Sequence, residues 1–150
     1  MGVWFEGSNE IECSIEKVKN SLEDPGEHYV GVVAHMPGMA NVSLVEQGTD
    51  FVTIRTNEGL MKRTRIRKLM EAERVVVELD EEYEAGSSVT ARSHFLEEFT
   101  RTDAGVKYRV SISDVEARGF LGFLYRKFGR SKMGAAFLKS CKTYLERADM

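Results

Sequence analysis

Apolar and polar residues alternate along most of the middle of the chain, and a period of two predicts strands. Val75, Val77 and Leu79 share one parity against Glu78 and Asp80. Val89, Ala91, Ser93, Phe95, Glu97 and Phe99 share a face opposite Arg92, His94 and Glu98, and Val106, Tyr108, Val110 and Ile112 oppose Lys107 and Arg109. The predicted strands are Val3 to Glu12, Val42 to Glu46, Phe51 to Thr56, Leu60 to Met70, Arg74 to Glu84, Ser88 to Arg101 and Val106 to Glu116. From the second onward they are separated by short turn signals such as Asn57-Glu58-Gly59 and Thr102-Asp103-Ala104-Gly105, which predicts an antiparallel meander. A four-residue turn over Thr102 to Gly105 sets Phe99 across from Tyr108 and Phe95 across from Ile112, so the two apolar faces agree.

The period changes to helical at two places. Ile15, Val18 and Leu22 form a short stripe behind Ser14, a candidate N-cap whose capping box is incomplete because Lys17 stands three residues on. Asp24-Pro25-Gly26 ends that helix and starts another, Glu27 to about Met36, which Pro37-Gly38 stops. The longest helical stretch is the tail, Ala117 to Asp149. Its second half carries Gly134, Phe137, Leu138, Cys141, Tyr144 and Leu145 at i, i+3, i+4 spacing. Its first half, Phe120 to Phe128, turns a different face, so a kink or a new N-cap at Ser131 is expected near Gly129. One sheet face is wet and charged, and the tail helix is the expected cover of the other. The expected fold is α+β: a curved antiparallel seven-stranded sheet wrapped around a long C-terminal helix, with two short helices after the first strand.

With 150 residues the chain has room for a single domain, residues 1–150, with a core and a cavity. The net charge of −3 gives no general attraction to nucleic acid or to an anionic membrane. Cys13 and Cys141 lack metal-type spacing and read as reduced thiols. No N-terminal apolar run has signal-peptide length and no segment approaches the roughly 20 apolar residues of a membrane span, so a cytoplasmic location is expected.

Small and polar residues on the inner face, Ala91, Ser93 and Glu97, predict a hollow beneath the helix rather than a solid core. Thr64, Ile66, Val77, Ser93, Phe95, Tyr108 and Val110 are expected to line it. Met36, Met39, Phe120, Phe123, Leu124 and Phe128 are adaptable apolar residues that suit varied apolar ligands and would pack equally well as ordinary core. Glu97 and Tyr108 are the candidates for catalysis, since desolvation of an inward carboxyl raises its pKa into general acid–base range; a strand-end Glu reaching water is the plainer alternative.

Two charge runs face each other: Lys62, Arg63, Arg65, Arg67 and Lys68 against Glu78, Asp80, Glu81, Glu82 and Glu84. A two-residue turn at Ala72-Glu73 puts Arg67 opposite Glu78, Arg65 opposite Asp80 and Arg63 opposite Glu82, all outside. A three-residue turn over Glu71 to Glu73 instead aims Arg65 and Arg67 inward, toward a carboxylate or phosphate head group. The acidic strand cancels any nucleic-acid patch. His28 and His35 lie seven apart without a third ligand, so no metal is expected, and no cofactor; His94 reads as a surface residue.

Several local runs carry a resemblance to a known superfamily. Phe5-Glu6-Gly7-Ser8, Glu16-Lys17-Val18, Leu22-Glu23-Asp24-Pro25 and Pro37-Gly38 resemble the opening of its carbon monoxide dehydrogenase G-type members. Phe137-Leu138 and Lys142-Thr143-Tyr144-Leu145-Glu146 resemble the last helix of the same superfamily, the START-like, or SRPBCC, helix-grip proteins, which include the polyketide cyclase/dehydrase family. The resemblance spans essentially the whole chain. It implies an elongated hydrophobic cavity between helix and sheet, with Met36, Met39, Phe120, Phe123, Leu124 and Phe128 at its mouth, and binding or transport of a lipid, isoprenoid or polyketide-like molecule. A minority of members are enzymes, so a cyclase, dehydratase or hydrolase using Glu97 and Tyr108 is the alternative. An accessory subunit or homodimer, with the groove taking a partner's apolar segment, is a third.

Overall fold

The computed structural model describes residues 2–85, 89–117 and 130–147. Their order is β1 (Val3–Ile11), α1 (Ile15–Leu22), α2 (Pro25–Ala34), β2 (Ser43–Gln47), β3 (Val52–Arg55), β4 (Gly59–Met70), β5 (Arg74–Ala85), β6 (Val89–Thr102), β7 (Gly105–Ala117) and α3 (Arg130–Glu146). The seven strands form one antiparallel sheet in the order β1-β7-β6-β5-β4-β3-β2. Phe99 lies opposite Tyr108 and Phe95 opposite Ile112, as the alternation predicts. The tail's first half, with Phe120, Phe123, Leu124, Phe128 and the expected break at Gly129, lies outside the described residues.

Local chemistry explains the ends of the first two helices. Ser14 accepts a hydrogen bond from the Lys17 amide and Asp24 accepts one from the Glu27 amide, each satisfying an amide that the first helical turn leaves unpaired. Pro25 follows in the first turn of α2, where its missing N–H costs nothing.

Four bulges interrupt the ladders, on β1, β2, β4 and β7. On β4 and β7 they coincide with left-handed residues, Arg65 at φ 51° and Asp114 at φ 54°. Each bulge bends its strand and increases twist, so the sheet curls around the helices. The β4 bulge also changes what faces inward. The β4–β5 turn is the two-residue type, with the Glu71 amide bonded to the Arg74 carbonyl, and Arg67 duly pairs with Glu78. Beyond it, Arg65 and Ile66 together oppose one residue of β5, and the parity flips. Arg63 therefore lies opposite Glu81 rather than Glu82 and is fully buried, correcting the expectation that it stands outside. Thr64 is corrected in the opposite sense: it is exposed on the outer face. Arg65 and Arg67 are both solvent-facing, paired with Asp80 at 2.7 Å and Glu78 at 2.9 Å.

The core lies between the concave face and the three helices. Ile15, Val18 and Leu22 of α1 pack with Tyr29, Val32 and Val33 of α2 against Val75, Val77, Phe99, Tyr108 and Val110 of the sheet. The stripe on α3 buries Phe137, Cys141, Tyr144 and Leu145 as its spacing predicts. Two glycines set how closely α3 docks. A Cβ on Gly134 would stand 2.3 Å from the Phe5 ring of β1, and one on Gly31 of α2 only 1.9 Å from the Tyr144 ring. Glycine at these places lets backbone approach ring face, at some cost in helix propensity.

Candidate ligand cavity

Among the described residues, two side chains that carry full charge, Glu97 and Arg63, are buried in this largely apolar interior. Glu97 of β6 sits on the concave face as strand alternation requires, and its carboxylate is fully buried. The Tyr29 hydroxyl donates to Oε2 and the Tyr108 hydroxyl to Oε1, both at 2.7 Å. Tyr29 comes from α2 and Tyr108 from β7, so one carboxylate ties a helix to two strands. Burial, and then the charge of Glu97, push both phenols well above their ordinary pKa of 10, so at neutral pH they are hydrogen-bond donors. The same causes, burial first, push the Cys141 thiol well above its ordinary value.

The second group is Arg63, delivered inward by the β4 bulge. Its guanidinium carbon lies 4.6 Å from the centroids of the Tyr29 and Phe95 rings and 5.1 Å from that of Phe137. Aromatic faces are attractive to a desolvated cation. Nη2 reaches Glu81 Oε1 at 3.5 Å, whereas Nε and Nη1 are buried and make no hydrogen bond. Burial opposes the charge, but the carboxylates of Glu81 and Glu97 with the two phenols outweigh it and raise the pKa further.

Arg63 borders a cavity of about 60 Å³ whose wall includes Met36, Met61, Ser93, Phe95 and Phe137. A groove of about 550 Å³ adjoins it along α3, floored by Pro37, Ala135 and Ala136 and flanked by Lys132 and Lys139. Met36, Met39, Glu58 and Met133 line both spaces. The combination is a small inner chamber of apolar side chains with Arg63, Glu58 and Glu81 in its wall, adjoining an apolar trough.

Neither a family model nor a curated protein matches the sequence. Solved structures do match. A conserved protein from Geobacillus kaustophilus is similar at a TM-score of 0.65 and 15% identity over 97% of this chain and 95% of its own. A STAR-related lipid transfer protein from Xanthomonas axonopodis is similar at 0.59 and 12%, over 95% of this chain and 85% of its own. The chain has the START-like helix-grip fold. The di-domain ARO/CYC protein BexL from the BE-7585A biosynthetic pathway is similar at 0.51 and 16%, with 97% of this chain covering 50% of that one.

Within the helix grip, the residues singled out from the sequence separate into four groups. Met36, Met39, Ser93 and Phe95 line the cavity. Ile66, Val77 and Val110 are buried in the core without forming its wall. Glu97 and Tyr108 lie together, bonded with Tyr29 and away from the cavity wall, and Glu97 is not at a rim reaching water. Thr64 borders instead an outer-face depression with His94, whose ring is held between Asp80 and Glu78 at 2.8 Å each.

Sequence reasoning missed Arg63, Tyr29, Met61, Met133 and Phe137 as site residues. For Arg63 there was a signal: Met61 and Ile66 are both apolar yet of opposite parity, which marks a bulge between them. His28 is fully buried, bonded through Nδ1 to the Ser21 hydroxyl at 2.7 Å, while His35 is exposed and turned to the Gly31 carbonyl. Among the described residues no three metal-ligating side chains come together, and no helix is long and apolar enough to cross a membrane.

Proposed function

We propose that this chain is a single START-like domain that binds or carries a small hydrophobic or amphipathic molecule, of lipid, isoprenoid or polyketide type, between sheet and α3. The observation that carries this reading is the continuity of the inner chamber with a methionine-lined apolar groove. Methionine side chains are flexible and polarisable, and so accept ligands of varied shape. A lipid transfer protein and an ARO/CYC protein among the structural neighbours support the ligand class.

The geometry speaks against the enzymatic alternative built on Glu97 and Tyr108. Each Glu97 oxygen already accepts a phenol, and neither residue lines the cavity. A general base must come within hydrogen-bond reach of the proton it removes.

The test is native mass spectrometry of protein purified from its own cells, with extraction and identification of whatever is bound. A stoichiometric apolar or amphipathic molecule is expected. Ala136→Trp, which places an indole in the groove, should weaken its retention by roughly tenfold or more. Bare polypeptide in the spectrum, together with failure to bind any apolar fluorescent probe, would sink the reading.

A further inference from the structure

We infer that Met39 and Met133 form a reversible oxidation site: hydrogen peroxide converts their thioethers to sulfoxides, and the groove then releases its apolar ligand. The inference rests on the binding reading above and adds a condition under which the ligand leaves. Three observations lead to it. Met36, Met39, Met61 and Met133 all line the inner chamber, and among the described methionines only Met70, at the far end of β4, stands apart. Burial then divides the set. Met36 and Met61 are buried, whereas Met39 and Met133 are half-buried and line the open groove as well. Finally, the turn that carries Met39 is pinned yet open. Asn57 accepts from the Ala40 amide at 2.9 Å and donates to the Gly38 carbonyl at 3.1 Å, while a Cβ on Gly38 would meet nothing within 4 Å. Met39 is thus fixed at the groove and within reach of a small solute.

The step balances without any group from the protein. The sulfur lone pair attacks one peroxide oxygen, and the O–O bond breaks as the S–O bond forms. The departing hydroxide takes the proton of the transferred hydroxyl and leaves as water, so sulfur loses two electrons and the peroxide gains them. What changes is the surface offered to the ligand. A thioether is a soft apolar contact, whereas a sulfoxide is polar and carries a strong acceptor oxygen. An alkyl chain laid against that oxygen strips it of water and offers no donor in return, which is unfavourable. Lys132 and Lys139 flank the same groove, and their ammonium groups are donors suited to a sulfoxide oxygen when no ligand covers it. Methionine sulfoxide reductases, one for each sulfoxide epimer, reverse the step.

The test titrates Nile red, a neutral apolar dye, into the protein before and after hydrogen peroxide, with dithiothreitol added afterwards to return oxidised Cys13 and Cys141 to thiols. Peptide mass mapping should place one added oxygen on each of Met39 and Met133 before Met36 and Met61 react. Dye affinity should then fall roughly tenfold or more and recover on treatment with the two reductases. Met70 is exposed and serves as the control, since in Met70→Leu the fall should persist. In the double variant Met39→Leu, Met133→Leu the dye affinity, whatever its starting value, should be the same before and after peroxide. Oxidation of both methionines with no loss of affinity, or a loss that survives in the double variant, overturns the assignment and leaves the carrier reading standing. Untreated protein that takes up no dye defeats both readings.

Discussion

Mild acid should loosen this protein through one residue, His28. Its ring is fully buried, set edge-on to Tyr29 and Tyr144 with centroids 4.9 and 5.6 Å away. Burial first, then the charges of Arg63 and Arg147, lower its pKa from 6.5 to about 3. In the unfolded chain the ring takes up a proton near its ordinary value; in the folded one it stays neutral. The stability it contributes is therefore complete above about pH 6.5 and declines as pH falls toward 3. The slope is about 1.4 kcal/mol per pH unit, so roughly 2 kcal/mol is lost at about pH 5, against a typical total of about 5–15 kcal/mol. His94 works in the opposite direction. Burial lowers its pKa, but Asp80 and Glu78 outweigh that and raise it, so its contribution is present in acid and lost as pH rises. Its side chain is about a quarter exposed, so solvent partly weakens it. The assay is urea denaturation at about pH 7 and pH 5 on the wild type and on His28→Gln, whose amide keeps a partner for Ser21. Wild type should lose about 2 kcal/mol more than the variant between the two conditions. Equal losses would refute the neutral, buried imidazole.

Other perturbations test the rest of the interior. Tyr29→Phe and Tyr108→Phe each delete a donor to a buried carboxylate and should cost about 2–3 kcal/mol in chemical denaturation; costs under about 0.5 kcal/mol would mean that Glu97 is held by something else. The raised phenol pKa values also predict alkaline weakening. Above about pH 10 the unfolded chain loses protons that the folded one keeps, so stability should fall by about 1.4 kcal/mol per pH unit per tyrosine, with a shallower slope in Tyr108→Phe. Gly31→Ala gains about 0.5–1 kcal/mol of helix propensity but drives a methyl into the Tyr144 ring, which costs about 1–3 kcal/mol. A net loss in denaturation midpoint is expected, and a gain would mean that α2 and α3 are not in close contact.

Much of this architecture was legible because short-range rules fix it. The β6–β7 register followed from a four-residue turn and from matching faces, and Glu97 was placed inside by its parity with Phe95 and Phe99 alone. What failed was local parity on β4. A bulge built on a left-handed arginine breaks the period of two, and nothing in Arg65 itself favours positive φ as glycine would. That one added residue moved Arg63 in and Thr64 out. The partners of Glu97 were half legible. Tyr108 shares its face of the sheet, but Tyr29 arrives from a helix 68 positions away. Its arrival depends on how α2 seats on the sheet, a tertiary fact that helical spacing does not encode.

The ordering of strands has a kinetic consequence. Strands β2 to β7 follow one another as hairpins, whose local contacts close quickly. The first strand has no such neighbour: Ile11 pairs with Val106 and Val3 with Ser113, roughly 100 residues along. On a ribosome β1 emerges first and must wait for β7 before it can pair. Until then one margin of the meander has unpaired amides and carbonyls, open to a strand from another chain. Phe5, which lies under Gly134, also makes the seating of α3 depend on that late closure. The apolar groove runs along α3, so its wall is completed only after β1 has joined β7.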